Sequence, residues 1–88
     1  MHHATTWKIH IFLDQDERQT SARAELTTSD RKLAGHGVAR RRPADLDIPE
    51  VGSELATARA LADVSHQLLE AAAGDIEAVT HKRTQLTS

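Results

Sequence analysis

The 88-residue chain has no cysteine, no tyrosine and a single example each of tryptophan and phenylalanine, Trp7 and Phe12. The lack of cysteine excludes disulfides and thiolate zinc sites. Small secreted domains usually depend on disulfides, so we expect a cytoplasmic protein. No stretch approaches the roughly 20 apolar residues of a membrane span, and the first residues lack the apolar run of a signal peptide. We expect neither a membrane segment nor a cleaved leader.

Large apolar side chains are also scarce. Hydrophobic residues make up 39% of the chain, but 14 of them are alanine. A chain of this length predicts one domain spanning residues 1–88 with a thin core. Such a domain buries only about 60 to 65% of the surface of its unfolded chain, and oligomerisation is a common remedy. We therefore expect a homodimer.

Three stretches alternate apolar and polar residues with the period of a half-buried strand: residues 5–14, 18–28 and 32–41. The first places Trp7, Ile9, Ile11 and Leu13 on one side, and the second places Ala22, Ala24 and Leu26 on one side. Phe12 falls on its polar side, where it either contacts a partner or is one exposed ring. The short polar links predict an antiparallel meander. The glycines of the third stretch, Gly35 and Gly37, are typical of a bulge or a close backbone approach.

A helix is predicted over residues 49–73, with Pro49 in its first turn. A later start at Ser53 is the alternative, because Gly52 costs helix stability. Apolar residues recur at spacings of three, four or seven, and we predict that this stripe covers the sheet: Val51, Leu55, Ala58, Ala62, Leu69 and Ala72, widened by Leu61, Val64 and Leu68. The opposite side is predicted to be solvated: Arg59, Asp63, His66, Gln67 and Glu70. Gly74 has the form of a helix stop.

After Gly74, residues 75–81 are predicted to form a short second helix capped by Asp75, with a terminal strand as the competing interpretation. Residues 82–88 are predicted to be a frayed polar tail. The predicted fold is therefore α+β, in the order βββαα.

The sequence offers little for catalysis. It has no Gly-x-Ser-x-Gly turn, and its six histidines show no metal-ligand spacing. His66 and Glu70 could hold one edge of a zinc site, but the same spacing is common in surface pairs. Gly35 and Gly37 lack the third glycine and the lysine of a phosphate loop. We expect no enzyme activity, no cofactor, no metal and no small-molecule substrate; a pocket across a dimer interface is a third, less favoured class.

Eleven Lys and Arg residues face thirteen Asp and Glu, a net charge of −2, so the chain as a whole does not attract nucleic acid. Any such contact must be local. The strongest cluster is Arg40, Arg41 and Arg42, because guanidinium groups bind phosphates bidentately without reading sequence. Lys8, Lys82 and Arg83 could extend it. A solvated or dimer-contact role for the arginines is the favoured alternative, because acidic residues follow closely.

Several segments carry a family resemblance: Trp7-Lys-Ile-His-Ile, Pro43-Ala-Asp, Ile48-Pro-Glu-Val-Gly-Ser-Glu-Leu, Ala58-Arg-Ala-Leu-Ala-Asp and Asp75-Ile-Glu-Ala-Val-Thr-His. Through them the chain resembles a small actinobacterial family of uncharacterised proteins with a fold like that of double-stranded-RNA-binding domains (dsRBD-like). The resemblance implies a sheet-plus-helix domain that pairs as a dimer. The shape is similar to that of ribosome hibernation factors, which implies a role in silencing translation during stress.

Two functional hypotheses follow. The first is a non-catalytic dimeric binding module of the stress response that contacts the ribosome or structured RNA through the region of Arg40, Arg41 and Arg42. The second is a protein-protein adaptor with no nucleic-acid role, which recruits another chain through its polar helix face or by strand addition to an open sheet edge.

Overall fold

A computed structural model of the chain describes residues 2–40 and 49–87, with side chains placed for residues 2–40 and 50–80. Its elements are β1 (Lys8–Gln15), β2 (Gln19–Thr27), β3 (Lys32–Arg40) and α1 (Pro49–Thr87). The strands form one antiparallel sheet in the order β1-β2-β3. The predicted α+β class and meander are confirmed. The predicted link at residues 42–48 lies outside the described residues.

The strand boundaries differ slightly from the predictions because the turns set them. Lys8 opposite Thr27 is the last pair of β1 and β2, so residues 5–7 have no partner and are not strand. Beyond Thr27 a tight turn begins, in which the Thr28 N–H donates to the Arg31 carbonyl at 2.9 Å. At the other turn the Asp16 carboxylate accepts from the N–H groups of Arg18 and Gln19 at 2.7 and 2.9 Å.

The core lies between β2, β3 and the first half of α1. The inward row of β2 is buried as predicted, with Ala22, Ala24 and Leu26 all under α1. The helix contributes Ala56, Ala60 and Val64, of which the two alanines are fully buried. These side chains are small, so backbones rather than bulky side chains meet across the interface.

Gly35 and Gly37 make this close contact possible. A Cβ added at Gly35 would lie 2.5 Å from the Ala60 carbonyl oxygen and 2.8 Å from the Val64 nitrogen. At Gly37 it would collide with the carbonyl oxygen of Ala56. The close-approach interpretation of the two glycines is therefore confirmed, with the helix as the element that approaches.

The predicted orientation of the helix is wrong. The predicted stripe faces solvent in the single chain, with Leu69 68% exposed and Leu55 45% exposed. Of the residues named with it, Val64 is buried and Leu68 packs partly against the core. The physical reason is β3: a strand lined by glycines accepts the alanine side of a helix at short range, whereas leucines there would hold the backbones apart.

The predicted stop at Gly74 is also wrong, because α1 runs without interruption to Thr87. No glycine among the described residues has a positive φ, so Gly74 has no left-handed stop conformation. On the next residue, the Asp75 carboxylate accepts from the Arg31 guanidinium at 3.2 Å, which ties the helix to the β2–β3 turn. Neither a separate helix nor a strand forms over residues 75–81.

The helix is longer than the sheet it covers. Its 39 residues span about 58 Å at about 1.5 Å each, whereas a nine-residue strand spans about 30 Å. Past Asp75 it extends beyond the β2–β3 turn, with Ile76 66% exposed. In the described part of the helix, no stretch is both long and apolar enough to cross a bilayer.

Candidate binding surfaces

The outer edge of β3 is capped by the helix. The Arg59 guanidinium donates to the Val38 carbonyl at 2.6 Å, and the Gln67 amide donates to the Ala34 carbonyl at 2.7 Å. Between them the His36 N–H donates to the Asp63 carboxylate at 2.9 Å. The prediction that these three helix residues are merely solvated is therefore wrong. Because they cap three outward backbone groups, this edge is blocked to a further strand.

The pKa of Asp63 lies below the usual value of an aspartate carboxyl group. The hydrogen bond from the His36 N–H lowers the pKa of Asp63, and the hydrogen bond from the Gln67 amide lowers it further. Both donors stabilise the charged form. The helix therefore holds this carboxylate ionised beside the edge of β3, where it accepts the hydrogen bond from the His36 N–H.

The edge of β1 is different. In an antiparallel ladder, alternate residues point their backbone groups to one neighbour. The Asp16 N–H donates to Gln19 next to the turn, so the same alternation directs Ile9, Ile11 and Leu13 outward. Among the described residues, no hydrogen bond reaches the outward backbone groups of these three.

The side chains of the same β1 row point toward the helix side of the sheet. The register confirms the predicted side, since Ile9, Ile11 and Leu13 align with the inward row of β2. The helix lies over β2 and β3, however, and of the three only Ile11 packs against the core. Ile9 and Leu13 stay roughly half exposed, so one edge of the sheet is both open and apolar.

The side of the sheet away from the helix carries Phe12 midway along β1, next to Arg23 on the central strand. We call this surface the basic face; its charged and aromatic residues are Lys8, His10, Phe12, Asp14, Arg23, Glu25, Lys32, His36 and Arg40. The Arg23 guanidinium lies 4.8 Å from the centre of the Phe12 ring, and the His10 ring meets it edge-on at 6.4 Å. Glu25 binds Arg23 at 3.1 Å and approaches Lys32 at 3.7 Å.

The predicted RNA-binding residues do not form one patch. Lys8 and Arg40 share the basic face but stand at opposite corners, roughly 25 to 30 Å apart from the strand rise and spacing. Arg41 and Arg42 lie outside the described residues. Lys82 and Arg83 fall in the last turns of α1, where side chains are not described. Of the predicted set, Lys8 and Arg40 are the two whose positions are defined.

Sequence patterns alone do not single out Arg23, Lys32 or the two histidines of this face as candidates. The one sequence feature that indicated a functional surface on this side was Phe12, a large ring on the polar side of an alternating strand. Because strand pairs place residues directly opposite one another, each polar-side residue of β2 and β3 joins the same surface once the register is known. Sequence alone did not fix that register.

The remaining features offer little reactive chemistry. An open depression of about 380 Å³ lies along the helix, lined by Ser53, Glu54, Thr57, Ala58 and Leu61. In residues 2–40 and 50–80, no group of three or more His, Cys, Asp or Glu side chains is placed to hold a metal. His66 and Glu70 form the predicted surface pair at 2.9 Å, with both side chains largely exposed.

The geometry defines a class: a three-stranded antiparallel meander with one long helix across one side and an open polar sheet on the other. The Rv2632c-like family model matches residues 5–85. The chain therefore belongs to the Rv2632c-like family, which confirms the expected small actinobacterial family of uncharacterised proteins.

Individual relatives agree with this assignment. The chain is 44% identical over 80 residues to uncharacterized protein MT1780 of Mycobacterium tuberculosis strain CDC 1551, covering 91% of this chain and 85% of that protein. It is 40% identical over 81 residues to uncharacterized protein Rv2632c of strain H37Rv, covering 92% and 87%. The crystal structure of Rv2632c superposes with a TM-score of 0.84, covering 91% of this chain and 95% of that one.

Proposed function

We propose that the protein is a non-catalytic, dimeric binding module of the cytoplasm that holds structured RNA on its basic face. The observation that carries this proposal is Phe12, which is 47% exposed midway along the edge strand β1, on the uncovered side of the sheet, and lies against a guanidinium. An exposed ring in that setting offers a stacking surface for an unpaired base, the usual way in which β-sheets bind RNA bases.

Charge on this face supports the same ligand. Lys8, Arg23, Lys32 and Arg40 outnumber its two carboxylates, Asp14 and Glu25. The Lys32 side chain is 64% exposed and can reach a phosphate, while Arg23 can stack on a base as well as pair with Glu25. The basic face therefore has a positive net charge although the whole chain has a negative one. This fits an RNA that binds at this one surface.

Structured RNA with an unpaired loop suits both the stacking surface at Phe12 and the positive charge of the basic face. Its loop supplies splayed bases, and its stem supplies closely spaced phosphates. The resemblance to dsRBD-like proteins and ribosome hibernation factors motivates the further proposal that the RNA is ribosomal and that binding serves the stress response. That part rests on likeness of shape, and co-sedimentation with ribosomes at low and high salt tests it.

Phe12 and Leu13 provide a matched pair for the binding test. They are neighbours with 47% and 49% exposure, but they point to opposite sides of the sheet. Binding of a labelled RNA hairpin is measured by fluorescence anisotropy at low salt. We expect Phe12→Ala to weaken binding by roughly 5- to 150-fold, from about 1 to 3 kcal/mol per stacked base, and Leu13→Ala to leave it unchanged. Equal effects of the two variants, or no binding by the wild type, would contradict the proposal.

Salt dependence separates the phosphate contacts from stacking. Each neutralised phosphate adds roughly 0.7 to 0.9 to the slope of log affinity against log salt. Lys32→Ala and Arg40→Ala should each reduce the magnitude of that slope by roughly 0.7 to 0.9, the value for one phosphate contact. Phe12→Ala should weaken binding without changing the slope. A slope that none of these changes alters would place the RNA elsewhere on the molecule.

The free edge of β1 favours a second candidate, the protein-protein adaptor. Its outward backbone groups and half-exposed apolar row suit an added strand, while the β3 edge is capped. Ile9→Pro removes one outward N–H without removing a bond to β2. If the protein is an adaptor, this change abolishes capture of a partner that Phe12→Ala still captures. Capture that survives Ile9→Pro would reject strand addition.

A further inference from the structure

The solvent side of α1 carries a regular apolar repeat, which we call the seam. It consists of Val51, Leu55, Ala58, Ala62, Ser65, Leu69, Ala72, Ile76 and Val79. The spacing alternates strictly between four and three residues, and all nine positions are exposed. Successive a and d positions of a coiled-coil heptad have this spacing.

The sheet does not account for the seam. The core residues Ala56, Ala60 and Val64 lie on the opposite side of the helix, and they already fill the contact with β2 and β3. The seam also runs past Asp75, the residue that binds the β2–β3 turn, and includes Ile76 and Val79 on the part of the helix that projects beyond it. A helix whose apolar residues served only to cover the sheet would need none there.

We infer that the seam packs against the seam of a second copy of this chain, as a two-stranded parallel coiled coil with one sheet on each outer side. This inference deepens the dimeric part of the proposed function by naming the surface that forms the dimer. The seam extends over four heptads, about 42 Å from residue 51 to residue 79, which is the length at which a heptad pattern predicts a coiled coil.

The composition of the seam suits a copy of itself. In a parallel pair each seam residue packs beside the same residue of the other chain. The small residues Ala58, Ala62 and Ser65 therefore meet small residues, and the helices approach closely there. The large residues Leu69 and Ile76 meet large ones. A two-fold interface of this kind needs one self-complementary patch, which the seam supplies.

Charge at the flanks favours the parallel direction. In that arrangement Glu54 of one chain faces Arg59 of the other, because a g position pairs with the e position five residues later. The antiparallel arrangement centred on Ser65 would bring Glu54 beside Asp75 of the other chain, a like-charge contact. Arg59 keeps donors for Glu54 after its bond to Val38, since a guanidinium has five.

Light scattering on size-exclusion fractions tests which surface forms the dimer. We expect two chains per particle for the wild type at micromolar concentration, and one chain for Leu69→Glu, whose side chain is 68% exposed and contributes little to the fold of one chain. The control is Leu13→Glu, which changes another exposed leucine, on β1 and 49% exposed, and should remain dimeric. Far-ultraviolet circular dichroism shows that each variant is folded. A dimer that survives Leu69→Glu, or a monomeric wild type, overturns the inference.

Disulfide trapping gives a second, independent test, because the wild type has no cysteine. Ser65→Cys and Ala58→Cys should each form covalent dimers on mild oxidation, and Ser29→Cys in the β2–β3 turn should not. If only Ser29→Cys forms covalent dimers, the seam is not the dimer interface. If Ser65→Cys forms them and Ala58→Cys does not, the two helices are not parallel. RNA binding is measured separately, so a failed RNA test and a failed dimer test remain distinct.

Discussion

The two long sides of α1 differ in a way that sequence patterns do not usually lead one to expect. The side against the sheet is built from small residues, Ala56, Ala60 and Val64, and faces two strand glycines. The side toward solvent carries the larger apolar residues, including Leu55 and Leu69. The more apolar side of a helix therefore need not be the side that covers its own sheet. A strand lined by glycines packs closely only against small side chains.

The largest effect is expected from filling the close contact. Gly37→Ala places a methyl group against the backbone of Ala56 and Ala60, neither of which can yield without moving the helix. We expect the free energy of unfolding to fall by about 3 kcal/mol, the upper range for overpacking, as measured by urea denaturation.

The control for this prediction is Gly74→Ala. A Cβ at Gly74 meets nothing within 4 Å, and the residue lies inside the helix. The free energy of unfolding should therefore rise by about 0.5 to 1 kcal/mol, the difference in helix propensity. If both substitutions change stability in the same direction, the close contact between α1 and β3 is not as described.

A smaller effect is expected at the capped edge of β3. Gln67→Ala removes the hydrogen bond to the Ala34 carbonyl, and we expect a loss of about 1 kcal/mol in the free energy of unfolding. The same denaturation measurement on Glu70→Ala, an exposed residue one turn further along the helix, should show a much smaller change. Equal losses would mean that the β3 edge is not held by the helix.

The pH dependence of stability probes the same edge through Asp63. The hydrogen bond from the His36 N–H holds the pKa of Asp63 below its unfolded value of about 3.9. The unfolded state therefore binds a proton first as the pH falls, so this contribution is complete above the unfolded pKa and is lost as the pH falls through the folded one.

Thermal unfolding between pH 6 and 2 measures this dependence. We expect the melting temperature of the wild type to fall more steeply below about pH 4 than that of Asp63→Asn, which cannot ionise. The difference should be modest, because the group is exposed and screened. Identical curves would show that Asp63 is not held as a charged acceptor.

The smallest effect is expected on the solvated flank of the helix. His66 and Glu70 are bonded at 2.9 Å, but both side chains are about 70% exposed. His66→Ala should change the free energy of unfolding by less than about 0.5 kcal/mol, as is usual for exposed helix pairs. A large loss by urea denaturation would indicate a contact to this flank from another chain.

Much of the sheet could be predicted from sequence, because a period of two reports directly on burial of one face. The meander, the inward row Ala22, Ala24 and Leu26, and the close approach at Gly35 and Gly37 all follow from that pattern. The start of α1 at Pro49 followed from local helix chemistry. The first strand was placed on the correct side, although its residues 5–7 lack a partner.

The helix orientation could not be obtained in the same way. An apolar stripe shows which residues avoid water but not what covers them, and here the glycine strand accepts the alanines instead. Gly74 resembled a stop because glycine ends many helices, yet α1 continues through it, and Asp75 on the next residue binds Arg31 of the β2–β3 turn. The basic face required the strand register, which brings Phe12 beside Arg23, and local spacing does not contain that information.

Thiol labelling measures the two sides of the helix most directly, since the chain has no cysteine of its own. Val64→Cys and Ala62→Cys are compared in the Leu69→Glu background, so that pairing of the seam does not cover Ala62. We predict that Cys at position 62 reacts at the rate of an exposed thiol and that Cys at position 64, where the native side chain is 3% exposed, is protected until the domain unfolds. Protection at 62 with free reaction at 64 would contradict the account.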